Sequence, residues 1–170
     1  MAQKRADIRL FLVWLMMGVG LGILLGFWQG LRFEKIRYSR MVDGDTFWVT
    51  SLRDGSEWRV RLWGVDAPDL KECYFEEATR VLEKELMTKS VTYERMGYDG
   101  YGRILAKVLV DGENVEDKLV ATGAATVYTA FEVHDKLKPS PEYIQRLKGL
   151  ETRAKEAKLG RWSEKCLGSK

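Results

Sequence analysis

The alternation of hydrophobic and polar positions divides the chain into two regimes. From Leu10 to Trp28, in the run LFLVWLMMGVGLGILLGFW, no residue carries a charge and no polar face interrupts the apolar pattern. Further on the runs are short and alternate. Ile36 to Val42, Phe47 to Leu52 and Trp58 to Trp63 are rich in β-branched and aromatic residues and predict three strands, the last two joined by the turn segment RDGS. From Glu72 to Met87 the period becomes that of a helix, with Tyr74, Phe75, Ala78, Val81, Leu82 and Leu86 on one face. Val91 to Met96 and Arg103 to Val110 predict two more strands, separated by the glycine-rich GYDGYG. A short helix follows over Val115 to Thr122, ended by Gly123. The last helix has Ser140 as N-cap and Pro141 at its first position, and it closes at Gly160.

Three strands, a helix, two strands and two helices define an α+β domain. Their order fits a five-stranded OB-fold β-barrel with three helices, preceded by one transmembrane helix. A doubly wound sheet is excluded, because the first three strands follow one another with no room for crossover helices. The organisation expected is a basic tail over 1–9, a transmembrane helix over 10–28, a linker over 29–35, the barrel domain over 36–164 and a C-terminal tail over 165–170.

At about 1.5 Å per residue the uncharged run makes a helix of roughly 28 Å, close to the hydrocarbon thickness of a bilayer. A cleaved signal peptide is the rival reading, since Lys4, Arg5 and Arg9 form a basic start. The run is longer than an ordinary h-region, however, and no small-residue cleavage site follows Trp28. Gly18, Gly22, Gly26 and Gly30 share one face, which suits a homodimer of membrane helices; the general frequency of glycine in such helices is the other explanation. Basic residues on the two sides nearly balance, with Arg32, Lys35, Arg37 and Arg40 following the run. Cys73 and Cys166 are the two cysteines, read either as a disulfide on the oxidising side or as two unrelated thiols. Together these features favour a single-pass membrane protein with its domain on the extracytoplasmic side. The formal net charge of +3 is too small to diagnose a nucleic-acid partner.

Several chemistries are excluded by composition. His134 is the single histidine and lies in a polar segment, so a Ser-His-Asp or Cys-His arrangement has no good base. No Cys/His spacing matches a structural zinc site, and GYDGYGR lacks the Gly-Lys-Ser/Thr of a P-loop. What remains is oxygen and arginine. Asp43 is explained by a sharp Asp-Gly turn; Asp45 is not, and with Asp66 it offers hard oxygen ligands for Ca²⁺ or Mg²⁺. Arg61 and Arg103 supply guanidinium forks for phosphate oxygens.

The segments VDGDT, VRLWGVDAPD, DGYGR and AKEAKLGRWSE, in that order, resemble the staphylococcal-nuclease-like (thermonuclease) family over roughly Ile36 to Glu164. The resemblance implies a Ca²⁺-dependent endonuclease acting on DNA and/or RNA, with Mg²⁺ the less favoured metal. It implies that Asp45, Asp66 and the Ala67 carbonyl bind the metal, that Arg61 and Arg103 bind the scissile phosphate, and that Tyr101 lies near the terminal phosphate of the nucleotide. Tyr128 is offset from the family's tyrosine region and takes no role. Asp69 stands where the family commonly has a glutamate credited as general base. Its carboxylate reaches about 1.5 Å less far on an unchanged backbone, so either the loop shifts or nearby Glu72 serves. The alternative to the enzyme is a catalytically weak or inactive OB-fold module holding single-stranded nucleic acid at the membrane. A third reading is an anchored dimer that contacts another envelope protein.

Overall fold

A computed structural model of the chain describes residues 33–87, 89–130 and 137–168. The expected transmembrane helix over 10–28, with its face of Gly18, Gly22, Gly26 and Gly30, lies outside the described residues, as do the basic tail and His134. Among the described residues no helix is long and apolar enough to cross a membrane.

In chain order the elements are β1 (Glu34–Met41), β2 (Thr46–Ser51), β3 (Glu57–Leu62), β4 (Val65–Asp66), α1 (Phe75–Leu86), β5 (Val91–Tyr98), β6 (Ile104–Val110), β7 (Glu113–Asn114), α2 (Val115–Ala121), β8 (Thr126–Val127), α3 (Pro141–Glu156) and α4 (Glu164–Leu167), with a 3-10 turn at Gly160–Trp162 before α4. Strands β1, β2 and β3 form an antiparallel meander, and β5 and β6 an antiparallel pair beside β1. Parallel pairing of Val60 with Ile104 and Leu62 with Ala106 joins β3 to β6 and closes five strands into a barrel. The short β4 pairs with β8 outside it.

Period-2 alternation drives the closure. Phe47, Val49, Val60 and Leu62 are buried inside, while Trp48, Arg59 and Arg61 face away from the core. Helix α1 buries Ala78, Leu82 and Leu86, α2 buries Leu119 and Val120, and α3 buries Leu147. Each such leucine contributes about 1.5–3 kcal/mol of burial. The predicted cap of α3 is present, with Ser140 Oγ accepting from the Tyr143 N–H at 3.2 Å. Helix α1 starts three residues later than the Glu72 start that the hydrophobic face predicts, because Lys71 and Tyr74 adopt left-handed φ values of 81° and 75°. Of the two readings of the cysteines, the structure has the disulfide. Glu164–Leu167 is helical, and Cys166 is disulfide-bonded to Cys73, with 5.4 Å between the Cα atoms.

One buried group is out of keeping with the core. Glu116, in the first turn of α2, is fully buried; its Oε1 accepts from the Val108 N–H at 3.0 Å, and its Oε2 has no hydrogen-bond partner among the described residues. Burial pushes its carboxyl up to about 8, against the opposing pull of backbone N–H donors. The folded state therefore holds a proton that the unfolded chain loses near pH 4.5, so stability falls as pH rises from there to about 8 and then levels off. Glu116→Gln keeps the Oε1 acceptor and removes the titration. The melting temperature of the variant should gain on wild type steadily between pH 5 and 8 in thermal denaturation; a constant difference would show that Glu116 does not titrate in this range.

Candidate active site

Two tight turns bring the predicted aspartates together. Asp43 accepts from the N–H groups of Asp45 and Thr46, at 3.0 and 2.7 Å, and so bends the chain into β2. Gly44 at the turn lies against α1 and the loop after β4: a Cβ there would sit 2.7 Å from Ala67 Cβ and 3.0 Å from Ala78 Cβ. That close approach lets Asp45 Oδ2 accept from the Ala67 N–H at 2.8 Å.

The Arg61 guanidinium, from the end of β3, links both carboxylates. One of its terminal nitrogens lies 2.8 Å from Asp45 Oδ2 and 2.9 Å from the Val65 carbonyl, and the other 2.7 Å from Asp66 Oδ1. The Asp45 and Arg61 side chains are only 8% and 12% exposed, whereas Asp66 is 48% exposed and opens to solvent. Burial drives the Asp45 carboxyl up to about 7 even though Arg61 pulls it down.

Arg103 reaches the same point from the start of β6. Its Nε donates to Asp99 Oδ2 at 2.6 Å, and a terminal nitrogen lies 3.4 Å from Thr46 Oγ1, which itself donates to Asp45 Oδ1 at 2.9 Å. A continuous chain of contacts thus runs from Asp99 through Arg103, Thr46, Asp45 and Arg61 to Asp66. Although burial pulls Asp99 upward, hydrogen bonds from Arg103 and from the Tyr101 backbone hold its carboxyl below the usual range. Arg61, Asp66, Tyr101 and Arg103 line one cleft of about 730 Å³, together with Tyr98 and Tyr128. Tyr101 is 79% exposed at the rim, with the Arg103 guanidinium 5.3 Å from its ring centre.

Asp69 is the predicted site residue that this arrangement does not include. It is exposed in the loop before α1 and does not line the cleft. Glu72 accepts from the Asp69 N–H at 3.1 Å and lies 3.6 Å from Arg161, so its carboxylate is already engaged. Thr46 and Asp99 join this network although neither is among the candidate residues that the sequence marks. The signal for Asp99 in the sequence is an Asp-Gly turn four residues before an arginine; Thr46 reads as an ordinary strand residue.

The oxygen set fits a divalent cation. The Asp45 and Asp66 carboxylates converge on one guanidinium beside Ala67, and the raised Asp45 acid is an electrostatic deficit that a cation would cancel. Among the described residues no cluster of three or more carboxylate, histidine or cysteine groups forms, so water and substrate oxygens would complete a shell of roughly six to eight.

Two carboxylates and two guanidiniums thus meet at one cleft of a closed five-stranded barrel, a set of groups with the charges a phosphate ester and a cation require. The staphylococcal nuclease homologue family matches residues 59–164. An uncharacterized endonuclease of Escherichia coli is 35% identical over 129 residues, 75% of this chain and 76% of that protein. Endonuclease YncB of Bacillus subtilis is 33% identical over 143 residues, 78% of this chain and 64% of its own. The SPbeta prophage-derived endonuclease YokF of the same organism is 34% identical over 139 residues, covering 76% of this chain and 44% of that protein. The chain belongs to the staphylococcal nuclease family, and as an enzyme it is a nuclease.

Arg61→Ala would strand the buried Asp45 carboxylate without its counter-charge. A loss of about 3–5 kcal/mol is expected in denaturant unfolding at pH 8, shrinking toward pH 5, where Asp45 takes up a proton at little cost. A loss that does not change with pH would mean that Arg61 stabilises by packing alone.

Proposed function

We propose that this protein is a membrane-anchored, Ca²⁺-dependent endonuclease that hydrolyses phosphodiester bonds of DNA and/or RNA, with its barrel on the extracytoplasmic side. The observation that carries the catalytic part is the Arg61 guanidinium shared between Asp45 and Asp66, with Arg103 joined to the same network through Thr46. Asp45, Asp66 and the Ala67 carbonyl would hold the cation, which when bound lends positive charge to the phosphate and polarises water. The guanidinium donors of Arg61 and Arg103 face the same cleft and stabilise the negative charge that builds on the phosphate oxygens as water adds. Asp99 fixes the Nε side of Arg103 and leaves its far edge for substrate. Tyr101 at the rim offers a hydroxyl to a neighbouring phosphate. Asp69 takes the proton of the attacking water, directly or through a second water.

The anchor rests on the uncharged run over 10–28, and the disulfide between Cys73 and Cys166 is in keeping with an oxidising compartment. The glycine face over Gly18 to Gly30 supports a dimer of such anchors. A second reading, a module that binds single strands and cuts them slowly, is favoured by one observation: Asp69 is exposed and outside the cleft.

One assay separates the two. The full chain should degrade single-stranded DNA in Ca²⁺ and lose this activity in EDTA, and Arg103→Ala should lower the rate by about 10²-fold or more. Asp69→Glu should raise the rate by about 10-fold to 10²-fold, since a displacement near 1 Å carries a penalty of that order. Intact oligonucleotide after prolonged incubation, with binding retained, would favour the module.

A further inference from the structure

The outer face of the β1–β2–β3 meander carries a row of side chains that the cleavage site does not use. Strand register places Arg40 opposite Trp48 and Trp48 opposite Arg59. The Arg40 guanidinium carbon lies 4.2 Å from the centre of the indole and that of Arg59 5.7 Å. Phe47, Val49 and Val60 beside them are fully buried, so alternation turns all three side chains outward. The next pair on this face along the same strands is Thr46, itself buried, opposite Arg61. Arg59 and Arg61 are therefore neighbours on one face, their Cα atoms about 6.6 Å apart at strand spacing.

The fold asks little of this row. Among the described residues Arg59 makes no ion pair, and Arg40 has Glu57 at 3.5 Å, both more than 40% exposed, which contributes little to stability. The Arg59 guanidinium beside the indole keeps its N–H donors in its own plane, and among the described residues no carboxylate pairs with it to cancel its charge. Trp48 thus fixes a cation one strand step from the arginine that faces the scissile phosphate, a step comparable to the phosphate spacing of an extended strand. Glu57 closes the row at the far end, where it accepts from Ser39 and Thr50 and would repel a further phosphate.

We propose that Arg40, Trp48 and Arg59 form a second phosphate-binding row, which holds single-stranded nucleic acid on the nucleotide next to the one being cut. This rests on the nuclease reading of the Arg61 cleft and extends it: Arg59 contacts the neighbouring phosphate, Arg40 lies beside it, and Trp48 is a positioning residue for both.

The test is fluorescence anisotropy of a labelled thymidylate 12-mer with the full chain in detergent and EDTA, over a series of salt concentrations. Arg59→Gln should weaken binding about tenfold and lower the log–log salt slope by about 0.7, the value for one phosphate contact on a single strand. Trp48→Ala should weaken binding in the same direction, and Trp48→Phe should restore most of it. With Ca²⁺ added, the rise in KM caused by Arg59→Gln should be about tenfold larger for the 12-mer than for a dinucleotide. Wild-type affinity and salt slope in Arg59→Gln would overturn the proposal, as would equal KM losses on both substrates, which would place Arg59 inside the cleavage site. A chain that binds through Arg59 yet cuts nothing would sink the nuclease reading and leave the row standing.

Discussion

The guanidinium of Arg61 is the point on which the site depends. It sits almost wholly out of water between two carboxylates, one buried and one open, and it also donates to the Val65 carbonyl at the start of β4. A buried ion pair is costly to assemble, because both charges give up hydration, and it repays that cost only when its geometry and hydrogen bonds are nearly complete. Here they are nearly complete around Asp45. Both of its oxygens are occupied, one by Thr46 and the other by Ala67 and Arg61. The two aspartates differ in burial: Asp45 is tied into the backbone turns around it, and Asp66 opens to solvent.

That arrangement depends in turn on how near two backbone turns can come. The turn at Asp43 to Thr46 and the loop at Asp66 to Pro68 belong to different strands, and they touch through Gly44, where no Cβ could be placed. The same device recurs at the other end of the domain. Gly123 and Gly160, with φ values of 70° and 55°, bring their backbones into contact, and the Arg161 N–H donates to the Gly123 carbonyl at 3.0 Å. This places the Arg161 side chain near Glu72 and carries the chain on to Cys166, so the C-terminal segment clamps the loop that bears Asp69.

Legibility in the sequence followed the range of the interaction. The five barrel strands were visible because alternation is local, and closure followed from their order. Asp45, Arg61 and Asp66 stand out in the sequence because charged residues gathered at strand ends are not asked for by the alternation itself, although Asp45 and Arg61 also tie the turns together. Thr46 escaped notice: its role exists only when Arg103, 57 positions away, arrives beside it. The start of α1 was placed too early because Tyr74 packs on the core like a helical residue, while its left-handed φ of 75° keeps it outside the helix. The pairing of Cys73 with Cys166 spans 93 residues, and two cysteines alone do not distinguish a bond from two thiols.

These constraints bear most directly on Asp69. A shorter carboxylate in a slack loop is a small matter, because the backbone can move toward the cleft. The loop around Asp69 is not slack. Pro68 precedes it, Lys71 and Tyr74 hold left-handed conformations, Glu72 caps the Asp69 N–H, and the disulfide and Arg161 fasten its far side to the C-terminal segment. These clamps therefore limit how far Asp69, which lies outside the cleft, can advance to make up the missing methylene, and Glu72 is spent in the clamp. On the reading that makes Asp69 the base, a bridging water is the way left for it to reach the nucleophile. On the proposed reading the proton transfer would then depend on an ordered solvent molecule in place of a fixed side chain, which would slow the chemical step and leave binding of the strand unaffected.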